Sequence, residues 1–145
     1  MQSLPVILYV EDNPDDVFFF ERARGRIDVP HVCHHASNGL EARAMILGEG
    51  EFADRVRWPH PTVILSDNKM PLMTGLELLE WLRRQPAFVQ IPFYLLTTSD
   101  HDMDLDVARR WKVTDYVRKP SNADEYLGCV QKLFEAIARA RPPVA

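Results

Sequence analysis

The chain has 145 residues, which is enough for one compact domain and too few for two of ordinary size. Its 17 basic and 21 acidic residues give a net charge of -4, which argues against general affinity for nucleic acids or anionic membranes. The apolar runs are far shorter than the roughly 20 residues that a bilayer requires, no signal peptide is evident, and two cysteines make no disulfide framework. We therefore expect a single cytoplasmic domain over residues 1–145, with no attached output domain.

Five short apolar runs alternate with longer amphipathic segments along the chain. Three of these runs are almost continuous in Val, Ile, Leu and Phe, as is typical of strands buried on both faces of a parallel sheet. The predicted strands are residues 6–10, 31–36, 62–66, 92–97 and 114–118. Five β/α units predict a doubly wound α/β sandwich, and the Gly- and Pro-containing residues 48–61 are predicted to be a connecting loop.

The predicted helices begin with residues that cap helix N-termini. Asn13 precedes Pro14 and two acidic residues, which suits the first turn of a helix. Asn38, Thr74 and Asn122 each lie three residues before a Glu, which is the spacing of a capping box. These signals place a helix after the first, second, third and fifth strands.

Polar residues follow the predicted strands at the point where each strand ends. Glu11 and Asp12 follow the first strand, Asp67 follows the third, Thr97 closes the fourth and Lys119 follows the fifth. In open α/β sheets, ligands bind beyond the carboxyl ends of the strands. We therefore expect three carboxylates, a hydroxyl and an ammonium group to meet at one edge of the sheet.

These chemical groups together favour phosphoryl transfer. Three carboxylates in one crevice repel each other unless a cation is present, and Mg2+ suits a site with few carboxylates and several waters. Asp67 is then the candidate nucleophile toward a phosphoryl group, with Lys119 and the Thr97 hydroxyl stabilising the phosphoryl oxygens. Each residue alone has an ordinary explanation as a turn residue, a helix cap or a solvated charge, so the hypothesis rests on their joint placement.

With their flanking residues, these positions resemble the receiver domain of bacterial two-component response regulators over essentially the whole chain. The matching segments are residues 10–13, 66–75, 96–99 and 116–120. The resemblance implies a flavodoxin-like (βα)5 fold with strand order 2-1-3-4-5. It also implies a signalling protein that assists its own phosphorylation and dephosphorylation, and not an enzyme that acts on other substrates.

The same resemblance implies a role for individual residues. Asp67 is the expected phosphoacceptor, and Lys119 the residue that contacts the phosphoryl group. Mg2+ is expected on Glu11, Asp12, Asp67 and the backbone carbonyl of Lys69, with Thr97 as the switch hydroxyl, Tyr116 as the switch aromatic and a cis Lys119–Pro120 bond. Thr98 lies where many receivers have Ala or Gly, which implies narrower access to the phosphoryl group.

Further features resemble the stand-alone regulators that partner bacterial phytochrome histidine kinases. They are the segments Glu-Asp-Asn-Pro-Asp-Asp, Leu-Thr-Thr-Ser and Tyr-x-x-Lys-Pro-Ser, and the long connector at residues 48–61. This resemblance implies a sensor histidine kinase as partner, and either a downstream protein or another histidine as the recipient of the signal. The alternative is a phosphorylation-independent binding module, whose mark would be the loss of Asp67, Lys119 or the acid pair.

Two helices carry more apolar residues than one core-facing stripe needs. Residues 17–20 are consecutive apolar residues and span about 300° of the first helix, so either Phe18 or Phe19 is expected to face a kinase or to pack under a loop. On the last helix, Tyr126, Cys129 and Leu133 form a second stripe beside the main one. This second stripe is interpreted either as the margin of a broad core surface or as a homodimer face.

Overall fold

The computed structural model describes residues 4–97 and 102–140, with only the backbone given for residues 102–104. The strands are β1 (Val6–Val10), β2 (Val32–Ala36), β3 (Val63–Asp67), β4 (Phe93–Thr97) and β5 (Asp115–Arg118). The helices are α1 (Pro14–Arg24), α2 (Gly39–Leu47), α3 (Gly75–Arg83), α4 (Asp102–Arg110) and α5 (Ala123–Ala140), and a short 3-10 helix (Gly50–Phe52) follows α2. Each predicted strand is present, with its ends within one residue of those predicted. Within the described ranges, no helix combines the length and the apolar character needed to cross a bilayer.

The five strands form one parallel sheet in the order β2-β1-β3-β4-β5. This order confirms the flavodoxin-like arrangement expected from the sequence. The register brings the carboxyl ends of the central strands together: Val10 pairs with Ser66, and Asp67 pairs with Leu96. The strand ends therefore share one edge of the sheet, which carries Glu11, Asp67, Thr97 and Lys119.

The sheet separates two layers of buried side chains. Along β1, Ile7 and Tyr9 pack with α1 and α5, whereas Leu8 and Val10 pack with α2, α3 and α4. This alternation follows from the period of two in a strand. Because both faces are covered, the central strands are apolar at almost every position, which is the pattern that predicted them.

The predicted caps begin the helices that they were expected to begin. The side chains of Asn13, Asn38, Thr74 and Asn122 each accept a hydrogen bond from a backbone N–H in the following turn. Thr74 also forms the reciprocal contact of a capping box, because its backbone N donates to a Glu77 carboxylate oxygen at 3.0 Å. These local contacts fix where the chain turns from the site edge into the helix layers.

The connector at residues 48–61 is more ordered than a plain loop. It contains the 3-10 helix, and Phe52 is buried in the core. The Arg55 guanidinium donates to the carbonyls of Met45 at 2.8 Å and Ile46 at 2.7 Å, which satisfies acceptors at the C-terminus of α2. Gly and Pro in the sequence marked the ends of regular structure but carried no signal for these packing contacts.

One expectation is wrong, and the structure decides between the two interpretations of the second stripe on the last helix. The described residues contain no cis peptide bond, so the Lys119–Pro120 bond is trans, the isomer that X–Pro bonds prefer by about 0.5–1 kcal/mol. Tyr126 and Leu133, interpreted as part of a dimer face, are buried in the core of one chain at 7% and 5% exposure. Both residues pack against α1 and the sheet, so they lie at the margin of a broad core-facing surface.

Leu72 has a backbone conformation that side chains rarely adopt. Its φ is 70°, and the flanking Met73 N donates to Pro71 O at 2.8 Å, which is the hydrogen bond of a γ-turn. The Leu72 side chain is 74% exposed, so little packing offsets this cost. The loop after β3 is therefore strained at this residue.

We predict that Leu72→Gly raises the free energy of unfolding by about 1 kcal/mol, because relief of strain outweighs the extra entropy of glycine in the unfolded chain. Val56→Gly is the matched control, since Val56 is 93% exposed and lacks a positive φ. That control should lose about 0.5–1 kcal/mol. Urea unfolding of both variants measures the difference, and equal losses would contradict the strain at Leu72.

Candidate functional site

Three carboxylates meet where β1 and β3 end. Glu11, Asp12 and Asp67 each offer one oxygen atom, and these atoms lie within 4.8 Å of one another. Glu11 is 0% exposed and Asp67 is 6% exposed, whereas Asp12 faces solvent. Oxygen ligands are those that Mg2+ prefers, so this donor set fits a hard divalent cation that enters from the side of Asp12. The Lys69 backbone carbonyl stays a prediction as a further ligand.

Lys119 brings a positive charge into the same cluster from the end of β5. Its Nζ lies 2.6 Å from Glu11 Oε1, 3.2 Å from Asp67 Oδ1 and 3.0 Å from Asp16 Oδ2. The sequence predicts that Lys119 meets Glu11 and Asp67 at one edge of the sheet. For Asp16 it predicts only a favourable position at the N-terminus of the first helix. No local spacing in the sequence identifies Asp16 as a partner of Lys119, because the two residues are 103 positions apart.

Burial and charge shift the pKa values of the three central groups. Burial raises the pKa of Glu11 to about 7, against the lowering effect of its hydrogen bond with Lys119. Burial also raises the pKa of Asp67, although Lys119 opposes that shift. Burial acts to lower the pKa of Lys119, but the hydrogen bond and charge of Glu11, with the charge of Asp67, raise it to about 12. The Lys119 ammonium is thus charged at neutral pH. Its single positive charge does not neutralise all of the carboxylates around it.

Thr97 lies on β4, which pairs with the strand of Asp67, and Tyr116 lies on β5, one strand further from Asp67. Thr97 is the last residue of β4 and is 1% exposed, and its carbonyl accepts a hydrogen bond from Lys119 N at 2.9 Å. Tyr116 is half-buried on β5, opposite Leu95, and packs against the cluster beneath α2, α3 and α4. Their roles as switch residues stay predictions. Thr98 and Ser99 lie outside the described residues.

Asn68 and Gly75, which the sequence does not single out individually, hold the loop after Asp67. A Cβ atom at Gly75 would collide with the backbone oxygen of Asp67 and would lie 2.8 Å from Leu95 Cδ1. Gly75 N also donates to Asn68 O at 2.9 Å, and the Asn68 side chain accepts from Leu76 N at 3.1 Å. Only a glycine lets α3 begin this close to the end of β3, so Gly75 fixes the backbone that carries Asp67.

The structure distinguishes the two aromatic candidates on α1. Phe18 is 59% exposed, whereas Phe20 is buried beneath the helix. Phe19 is half-buried and stacks on Tyr126 of α5, with ring centroids 5.7 Å apart. Phe18 is therefore the residue of α1 whose apolar ring faces solvent, and kinase docking by either residue stays a prediction.

The chain is similar to known proteins over most of its length. Residues 7–131 match the response regulator receiver domain family. Response regulator Rcp1 of Synechocystis sp. (strain ATCC 27184 / PCC 6803 / Kazusa) is 29% identical over 126 residues, which cover 87% of this chain and 84% of Rcp1.

Solved structures agree with this match. The phosphorylated cyanobacterial phytochrome response regulator RcpA superposes with a TM-score of 0.88 and 29% identity. The match covers 98% of this chain and 100% of RcpA. The Mn(2+)-bound form of response regulator Rcp1 gives a TM-score of 0.86 and 27% identity, covering 97% of this chain and 99% of Rcp1. The family match, the strand order and the clustered acids agree, and the chain belongs to the response regulator receiver domain family.

Proposed function

We propose that this protein accepts a phosphoryl group on Asp67 from a sensor histidine kinase in a Mg2+-dependent reaction. The observation that carries the proposal is the cluster of Glu11, Asp12, Asp67 and Lys119 at one sheet edge. An Asp67 oxygen forms the new O–P bond as the N–P bond of a kinase phosphohistidine breaks, and the imidazole leaves as the neutral base after taking up a proton. Bound Mg2+ would offset the negative charge of the phosphoryl oxygens.

The chain's own residues supply the remaining requirements of this transfer. Lys119 presents its ammonium 3.2 Å from Asp67, where it can donate to a phosphoryl oxygen. Similarity to Rcp1 and to the phytochrome response regulator RcpA supports a kinase of the phytochrome type as partner. A downstream protein, or a second histidine in a phosphorelay, would receive the signal. Partnership with such kinases favours the cytoplasmic location expected from the sequence.

We predict that a small acyl phosphate such as acetyl phosphate adds one phosphoryl group to the protein only when Mg2+ is present. The three acids need a counter-charge before they accept a further anion. Intact-mass spectrometry should show the added mass in the wild-type protein, and its loss with a chelator or in Asp67→Asn. Labelling of Asp67→Asn would overturn Asp67 as the phosphoacceptor, whereas no labelling of the wild-type protein would favour the phosphorylation-independent binding module.

The Mg2+ interaction should also depend on pH. Burial raises the pKa of Glu11 to about 7, so protons compete with the metal below neutral pH. Mg2+ should raise the melting temperature more at about pH 8 than at about pH 6, and Glu11→Gln should remove most of that difference. Without metal, the stability of the fold depends on pH in the opposite direction. Glu11 keeps its proton up to about pH 7 in the folded state but releases it near its ordinary pKa of 4.5 in the unfolded state. The free energy of unfolding therefore falls as pH rises through this window.

We predict that phosphorylation couples Thr97 to Tyr116. A hydroxyl drawn toward the phosphoryl oxygens vacates space that the Tyr116 ring can occupy, which gives two surface states. Thr97→Ala should still accept phosphate from acetyl phosphate but lose the change in the Tyr116 ring NMR signals. Tyr94, which is buried on the opposite face of the sheet, is an internal reference that should not respond. A full Tyr116 response in Thr97→Ala would place the switch elsewhere.

We predict that Phe18 anchors the kinase, because an exposed aromatic ring beside the phosphorylation site suits a groove between two kinase helices. Phe18→Ala should slow transfer from the phosphorylated kinase by about tenfold and leave acetyl phosphate labelling and the melting temperature unchanged. Phe19→Ala is the contrasting variant, since its half-buried ring stacks on Tyr126. It should lower the free energy of unfolding by about 2 kcal/mol. Unchanged kinase transfer in Phe18→Ala would end this proposal.

We also propose a homodimer through α5, using the exposed side of the helix and not the buried Tyr126. The residues that line an open groove beside β5 include Val117, Gly128, Cys129 and Leu133. A side chain at Gly128 would point into open space, so Gly128→Glu should leave the monomer folded and shift sedimentation toward monomers. Gln131→Glu, an exposed change elsewhere on α5, should not. A wild-type protein that stays monomeric at micromolar concentration, with and without phosphate, would contradict the proposal.

A further inference from the structure

The Lys119 ammonium has a third carboxylate partner besides the two acids of the site. Its Nζ lies 3.0 Å from Asp16 Oδ2, and the Lys119 side chain is only 6% exposed. An ammonium group has three N–H donors. Two of these donate to Glu11 and Asp16, and Asp67 Oδ1 lies 3.2 Å from the same Nζ as an ion pair.

Asp16 is itself held from two sides. Its second oxygen, Oδ1, accepts a hydrogen bond from the Tyr126 hydroxyl at 2.8 Å, and Tyr126 belongs to α5. Its backbone lies in the first turn of α1, where the Asn13 side chain accepts a 2.8 Å hydrogen bond from Asp15 N. Burial and the adjacent Asp16 charge raise the pKa of Tyr126, so the hydroxyl keeps its proton and remains a donor.

Asp16 does not belong to the group of acids that suits a metal. That group is formed by Glu11, Asp12 and Asp67, whose oxygens lie within 4.8 Å of one another. Asp16 instead touches the ammonium of Lys119 and the hydroxyl of Tyr126. Any effect of Asp16 on phosphorylation would thus pass through Lys119.

We propose that Asp16 is a positioning residue that orients Lys119 toward Asp67, and that Tyr126 holds Asp16, so that α5 is coupled to the phosphorylation site. Because hydrogen bonds to Glu11 and Asp16 hold the ammonium, Nζ stays within ion-pair distance of Asp67 and of a phosphoryl group placed there. Without Asp16, the ammonium can rotate toward Glu11 or solvent. This inference rests on the proposed function of Asp67.

The first experiment measures phosphorylation rates at saturating Mg2+ over a range of acetyl phosphate concentrations. Asp16→Ala should lower the maximal rate by about tenfold and leave the half-saturating donor concentration unchanged, since orientation matters most in the transition state. Asp16→Asn should restore part of the rate, because its amide oxygen still accepts from the ammonium. Asp15→Ala and Asp15→Asn are matched controls, since Asp15 is an exposed acid in the same helical turn. They should react at the wild-type rate.

The link to α5 is tested with Tyr126→Phe, which keeps the buried ring and removes the hydroxyl. This variant should slow the maximal rate by about two- to threefold. The double variant Asp16→Ala/Tyr126→Phe should be no slower than Asp16→Ala alone, because Tyr126 acts through Asp16. Rates that multiply in the double variant would overturn the link between Tyr126 and Asp16.

A second measurement needs no phosphorylation. The Lys119 ammonium should give a protected 1H–15N NMR signal, assigned by its loss in Lys119→Met, that disappears in Asp16→Ala and persists in Asp15→Ala. If wild-type protein is not labelled but this pattern holds, the proposed function fails and the positioning contact stands. If wild-type protein is labelled but Asp16→Ala matches Asp15→Ala in both rate and NMR signal, the positioning role is overturned and the proposed function stands.

Discussion

The site depends on one ammonium group, that of Lys119, which pairs with buried carboxylates at the ends of the strands. Glu11 and Asp67 are almost fully buried, and an unpaired charge in such a position costs several kcal/mol. Lys119, which is 108 positions from Glu11 in sequence, meets them both and thereby joins the ends of β1, β3 and β5. One positive charge does not balance these acids, so the donor set of the cluster fits a divalent cation. The same excess of negative charge disfavours the folded state and suits the site to a cation.

The scaffold around this cluster restricts how the site can move. The backbone after Asp67 is fixed by the close approach of Gly75, and the turn at Leu72 completes the same loop. Lys119 links the cluster to two neighbouring parts of the fold. Its backbone N donates to Thr97 O at the end of β4, and its ammonium contacts Asp16, which Tyr126 joins to the α1–α5 layer. The cluster is therefore tied both to the sheet and to the α1–α5 layer.

The sequence was informative wherever one local rule governs the structure. Strands covered on both faces must be apolar at nearly every position, so runs such as Val6–Val10 identified the sheet directly. Helix starts depend on contacts within three or four residues, so Thr74 and Glu77 predicted their capping box from spacing alone. The edge that carries Glu11, Asp67 and Lys119 followed from a general rule of parallel sheets, which needs no knowledge of side-chain packing.

The sequence by itself thus determined the fold class, the strand order implied by its motifs and the residues that gather at the site. Tertiary structure alone decided which apolar side chains on a helix are covered: helical spacing gives the direction of Phe18, Phe19 and Tyr126 but not the neighbours that they meet. It also decided the partners of Asp16 and Arg55, because long side chains reach acceptors that the sequence does not specify. Asp16 and Lys119 are 103 positions apart, and only the packing of α1 beside the end of β5 brings them into contact.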